Sequence, residues 1–203
     1  MAAIDLSAGA TVEQRVVGAA LRCVARWGLA KTTLDDVARE AGCSRATVYR
    51  AFPGGKDAVV AATVRAECER LARGLAAAVD DLGSLEDILV TAIVHTGRFL
   101  SGHQALRFLL AHEPEAVLPR VSFARMRKVL ADASDFAAPF LAPFVGPEEA
   151  PRVAEWVARI IFSYTMAPSA RVDVCDEESV RELVRDFLLP GLSSEKGETH
   201  VVH

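Results

Sequence analysis

The sequence predicts an all-α protein: a small helical head followed by a larger helical body, with about nine helices in all. Three observations carry this. Apolar residues recur at i, i+3, i+4 and i+7 through nearly every segment. Gly and Pro gather at the ends of these segments rather than within them. No stretch of alternating apolar and polar residues reads convincingly as a strand. With 203 residues, 51% of them apolar, and a mean hydropathy of +0.22, the chain has ample material for a core.

The first helix is predicted over residues 11–27, with Val12, Val16, Ala19, Cys23, Val24 and Trp27 inward and Gly28 as its end. Thr33 opens the second helix, and Asp36 three residues later completes a pair resembling a capping box. Its stripe is Leu34, Val37, Ala38 and Ala41. Gly42 supplies the left-handed residue that ends it, and Ser44 follows at once as N-cap of a third helix running to about Phe52, with Val48, Tyr49 and Phe52 on its apolar face. Two helices joined by so short a turn form a helix-turn-helix, which sets the start of its second helix in a DNA major groove.

Pro53, Gly54 and Gly55 then break the chain. A long helix is predicted from Lys56 to Asp80, with Val60, Val64, Cys68, Leu71, Leu75 and Val79 inward. Further helices follow at 84–101, with Leu85, Ile88, Leu89, Ile93 and Phe99 on its apolar face, and at 104–111. Residues 122–138 form another, after which Pro139, Pro143 and Pro147 predict irregular or kinked chain. The last two helices are predicted at 148–167 and 177–189, with a disordered polar tail beyond.

Charge is divided unevenly. Residues 1–56 hold eight Lys/Arg against five Asp/Glu, a net of +3, and the remainder fifteen against twenty-two, a net of −7. A basic head on an acidic body suits a protein that meets DNA at one end. The excess is small, so geometry must do more than bulk charge.

Several classes are disfavoured. No run of about 18 apolar residues suggests a membrane span, and the N-terminus lacks the pattern of a secretory signal. Cys23, Cys43, Cys68 and Cys175 form no CxxC pair, so neither zinc nor redox chemistry is expected, and Cys23 and Cys68 read as small buried hydrophobes. His95 and His103 stand eight apart, which implies no helical metal pair. The GGK at 54–56 lacks the remainder of a P-loop, and no HExxH, GxSxG or paired-carboxylate constellation is present, so no catalysis and no cofactor are expected.

The order of these parts resembles a family. The segment TTLDDVAREAGCSRATVYRAFPGGK is similar to the DNA-binding head of the tetracycline-repressor (TetR) family of bacterial regulators, through Thr33, Ala38, Ala41, Gly42, Ser44, Thr47, Val48, Tyr49, Phe52 and Lys56. It departs at Cys43, where Val is usual, at Ala46, often Gly, and at Gly54-Gly55 before the Lys. The resemblance implies a helix-turn-helix head at 1–55, a helical ligand-binding and dimerisation domain at 56–192, and a tail at 193–203.

Within the head it implies that Ser44, Arg45, Ala46 and Thr47, the first turn of the recognition helix, face the groove. Arg45 suits a bidentate bond to a guanine edge, and Ala46 or the Thr47 methyl suits a thymine methyl. Tyr49 resembles the family's phosphate-contacting tyrosine, with Thr33, Arg50 and Lys56 holding further phosphates. Within the body it implies an effector pocket drawn from His95, Arg98, Phe99, His103, Arg107, Phe108, Met126, Phe136 and Phe140, suited to a lipophilic small molecule. The final two helices resemble the family's dimerisation pair, through Val153, Trp156, Val157, Ile160, Ile161, Tyr164, Val184, Phe187 and Leu188.

The expected protein is a cytoplasmic homodimer on a palindromic double-stranded operator, acting as a repressor released when an effector favours a state with helix four tilted. Activation by the same fold, or a helical protein-interaction module, are the readings left open.

Overall fold

The computed structural model describes residues 10–117 and 123–193. Every regular element among them is helical: α1 (Val12–Lys31), α2 (Leu34–Glu40), α3 (Arg45–Ala51), α4 (Gly55–Val79), α5 (Leu85–Gly102), α6 (Gln104–His112), α7 (Pro114–Val117), α8 (Phe123–Val145), α9 (Ala150–Met166), α10 (Glu177–Leu183), a π-helical turn (Val184–Leu188) and α11 (Leu189–Ser193). The expected tail lies outside the described residues, apart from Ser193. None of the described helices is long and apolar enough to cross a membrane.

The chain divides into two compact units. One holds the described residues up to Arg70 and those from His103 to 117; the other holds Leu71–Gly102 and the described residues from 123 onward. The first is built around Val16, Ala19 and Cys23 of α1, Leu34, Val37 and Ala38 of α2, Val48 of α3 with its C-cap Phe52, and Val59 of α4. The second is built around Ile88, Leu89 and Ile93 of α5, Leu141 of α8, Val153, Val157 and Ile161 of α9, and Val180, Val184 and Leu188 at the C-terminal end. Removing each such Val, Leu or Ile side chain from water contributes roughly 1.5–3 kcal/mol, which is what short α2 and α3, seven residues each, need to persist at all.

Five expectations are corrected. Helix one breaks at Gly28 as expected, with φ +82°, but the chain does not leave helical backbone there: a further short helical stretch runs to Lys31. Trp27, expected inward, is 37% exposed, with the Arg26 guanidinium over its ring. On α4, Val64 and Cys68 are exposed, because Val59, Ala58 and Ala62 meet the first core instead. Val64 is turned about 140° from Val59 at 100° per residue. Helix α8 runs unbroken through Pro139 and Pro143 to Val145. Both prolines are exposed, as are Asp135 and Pro139 four residues before them, so the carbonyls that lose a donor face water.

The last helix, fifthly, is not a simple run ending at 189. It widens into the π turn, where Leu189 N–H donates to Val184 O, and continues to Ser193. The wider turn makes room for Pro190, which has no N–H to give and whose ring would crowd an α-helical carbonyl.

Candidate nucleic-acid interface

The interface is assembled by caps and one glycine. Thr33 Oγ1 accepts from Asp36 N–H at 3.2 Å, while Asp36 Oδ2 accepts from Thr33 N–H at 3.1 Å and its hydroxyl at 2.6 Å, closing a capping box on α2. These bonds from Thr33 hold the Asp36 carboxyl below the usual range. Gly42 follows α2 at φ +65° with open space around it, so backbone conformation rather than crowding requires glycine there. Ser44 then caps α3, accepting from Thr47 N–H at 3.1 Å, with its hydroxyl 2.9 Å from that of Thr47.

Helix α3 buries Val48 completely and Phe52 nearly so, which fixes which side faces outward. Ser44, Arg45, Ala46, Tyr49 and Arg50 are exposed on that side, and Thr47 is half-buried by its capping contacts. Arg45 is held at three points. Its Nη1 donates to Asp35 Oδ2 at 2.9 Å, its Nη2 lies 3.4 Å from Tyr49 Oη, and its guanidinium stands 5.4 Å over the Tyr49 ring. The Tyr49 hydroxyl, then the Asp35 carboxylate, push the guanidinium further towards its charged form.

Two expected phosphate groups are otherwise engaged. Lys56 is half-buried and donates from Nζ to the Leu29 carbonyl at 2.7 Å, tying the start of α4 to the end of α1. The Thr33 hydroxyl serves the capping box. The same Leu29 peptide is grasped from the other side, since buried Glu113 accepts from Leu29 N–H at 2.9 Å and Ala30 N–H at 3.0 Å. Gly28 makes this possible: a Cβ there would lie 2.1 Å from Glu113 Oε1.

In the second unit, a groove of about 480 Å³ is lined by Val90, Thr91, Val94, His95, Arg98, Phe99 and Glu177. Three of the nine expected effector residues therefore line it. Arg98 Nε donates to the Cys175 carbonyl at 2.8 Å, and the His95 ring rests on α4, 2.9 Å from where a Cβ on Gly74 would stand. The Phe136 and Phe140 rings meet at a tilt on α8 with centroids 5.6 Å apart, and Met126 is half-buried there. His103, Arg107 and Phe108 belong to the first unit instead: His103 caps α6 through Nδ1, accepting from Leu106 N–H at 3.1 Å, and its Nε2 is 3.1 Å from Glu67 Oε2.

The expected dimer residues divide by exposure. Val153, Val157, Ile161, Val184 and Leu188 are at most 8% exposed within their own unit's core. Trp156 is 56% and Phe187 72% exposed, and Ile160 and Tyr164 are half-buried. Asp35, Glu113 and Glu177 escaped the sequence reading: Asp35 and Glu113 meet partners on other helices, and Glu177, paired with Arg181 on its own helix, reaches the groove on α5 only through the fold.

Comparison with known proteins agrees with this geometry. Residues 16–63 match the family model for bacterial regulatory proteins of the tetR family. An uncharacterised HTH-type transcriptional regulator of Mycobacterium tuberculosis is 29% identical over 176 residues, 87% of this chain and 83% of its own. The fold is similar to that of the TetR family repressor AlkX from Dietzia sp. strain DQ12-45-1b, implicated in biodegradation of n-alkanes (TM-score 0.66, 21% identity, 91% of this chain and 96% of that one). It is also similar to the multidrug binding protein EbrR complexed with imidazole (TM-score 0.59, 23% identity, 87% and 94%). A capped helix-turn-helix with its leading side chains exposed lies inside residues 16–63, the segment that matches the tetR-family model, so this chain carries a DNA-binding head of the kind found in tetR-type transcriptional regulators.

Proposed function

We propose that the chain is a cytoplasmic, homodimeric repressor that binds a palindromic operator and is released by a small lipophilic effector, acting by binding rather than catalysis. Residues 1–55 are its reading head and 56–192 its effector and dimerisation domain. The observation that carries the reading is the outward face of α3, where Ser44, Arg45, Ala46, Tyr49 and Arg50 are exposed while Val48 anchors the helix from behind. Arg45 reads a guanine edge; Ala46 and the Thr47 methyl meet a thymine; Tyr49, Arg50 and the N-terminal end of α2 at Thr33 contact phosphate. Lys56 contributes mainly by fixing α4 against Leu29, with its charge still near the backbone of the duplex.

Trp156, Ile160, Tyr164 and Phe187 supply the dimer face, with the buried Val153, Val157, Ile161, Val184 and Leu188 as its support. A twofold axis then places two α3 helices about one DNA turn apart, roughly 34–36 Å. The effector enters the groove at His95, Arg98 and Phe99, and Phe136, Phe140 and Met126 can join as α8 adjusts. His95 links groove to signal: its ring touches Gly74 of α4, and α4 continues unbroken to the head at Gly55. A ligand acts only through its different affinity for the two α4 states. The relatives implicated in n-alkane biodegradation and multidrug binding support an apolar effector.

The test is selection of duplexes from a random pool by the full-length protein, followed by footprinting. Enrichment of a palindrome with two protected half-sites one turn apart supports the reading; equal retention of all sequences at any salt refutes it.

A further inference from the structure

We propose that Asp35 is a positioning residue for DNA reading: its carboxylate braces the Arg45 guanidinium in the orientation that meets a base edge. The inference rests on the DNA-reading role given to α3 above. Asp35 lies in the first turn of α2, on a different helix from Arg45, and their 2.9 Å bond is the link from α2 to the tip of the recognition helix. Both side chains are more than half exposed (57% for Arg45 and 55% for Asp35), so the pair adds little to folding stability.

What the pair does fix is direction. An unbraced arginine has four rotatable side-chain bonds; here Asp35 holds one end of the fork, while the Tyr49 hydroxyl meets the other end and the guanidinium carbon stands 5.4 Å over the Tyr49 ring. A guanidinium carries five N–H donors. Asp35 takes one on Nη1 and Tyr49 one on Nη2, which leaves three, enough for a bidentate bond to guanine O6 and N7 with the brace intact. Ordering the side chain before DNA arrives reduces the entropy lost on binding.

Charge alone argues the reverse. An exposed carboxylate beside a polyanion repels it, so its removal should tighten contact with any duplex. The two effects separate cleanly by sequence. Replacing Asp35 leaves in place the α2 capping box, which is made by Thr33 and Asp36.

The experiment measures affinity of wild type, Asp35→Ala, Asp35→Asn and Arg45→Ala for a palindrome selected by the full-length chain and for a scrambled duplex, at one salt concentration, with thermal melts to confirm folding. Asp35→Ala is expected to weaken palindrome binding on the order of ten-fold while scrambled binding stays level or tightens, and Asp35→Asn to fall between. In an Arg45→Ala background, Asp35→Ala should no longer weaken palindrome binding. Tighter palindrome binding by Asp35→Ala would show that Asp35 restrains Arg45 and overturn the brace, and so would equal weakening on both duplexes. If wild type selects no sequence at all, the DNA-reading role itself fails and the brace with it.

Discussion

Arg45 and Lys56 are both cations in the basic head, yet their surroundings give them different work. Arg45 stands exposed at the first position of α3, whereas Lys56 is half-buried on the Leu29 carbonyl. A charge-assisted bond of that kind contributes about 1.5–3 kcal/mol, so Lys56→Met is expected to lower the urea midpoint of unfolding as well as weaken DNA binding. A variant of wild-type stability with only a DNA defect would place Lys56 back on phosphate alone. Gly28 is the neighbouring constraint. Alanine there meets both a φ of +82° and Glu113 Oε1 at 2.1 Å, and the expected cost is about 2–4 kcal/mol by thermal or chemical melt. The positive φ was foreseeable from the sequence, where Gly28 reads as a helix end. The tie to Glu113 was not, because 84 residues separate Leu29 from its acceptor.

Among the elements, those specified by local chemistry were readable and those specified by packing were not. Thr33, Gly42 and Ser44 announce the α2-turn-α3 unit, and each performs the expected capping or turning role. On α4 the pattern offers several apolar lines, and only the position of the first core decides for Val59 over Val64. On α8 the prolines read as breaks, but solvent on their face makes their missing donors tolerable. Helix α9 carries one wide apolar face in sequence; the fold divides it into a core line of Val153, Val157 and Ile161 and an outer edge at Trp156. Phe187 joins that outer set from the π turn. Phe187→Glu is expected to convert a dimer to monomer in sedimentation velocity at micromolar concentration, with little loss of helicity by circular dichroism. Unfolding would instead mark Phe187 as part of the core, and an unchanged dimer would move the interface elsewhere.

At the scale of the whole molecule, stability is tied to acid through carboxylates in both units. Arg181 holds the Glu86 carboxyl below its usual range, and Ser84 followed by Arg181 does the same for Asp87. In the first unit, Arg22 lowers Glu40 at 2.6 Å. Because these folded-state values lie below the unfolded ones, the stabilisation is complete above the ordinary carboxylate range and is lost as pH falls through the depressed values. The melting temperature should therefore drop as pH is lowered through about 4, and Arg181→Gln should flatten that fall; an unaltered acid limb would remove Arg181 from this role. The division of charge, net +3 over residues 1–56 against −7 beyond, was plain from composition. The groove of the second unit was only partly so, since His95, Arg98 and Phe99 share α5 whereas Glu177 comes to it from the start of α10.

The most direct measurement compares Arg45→Ala with wild type on a selected palindrome and on random duplex at equal salt. The geometry predicts a loss of roughly 1–3 kcal/mol on the palindrome, with relaxed preference at one base pair, and random-duplex affinity changed little. Equal affinity of the two proteins for the palindrome would contradict the assignment of α3 as the reading element.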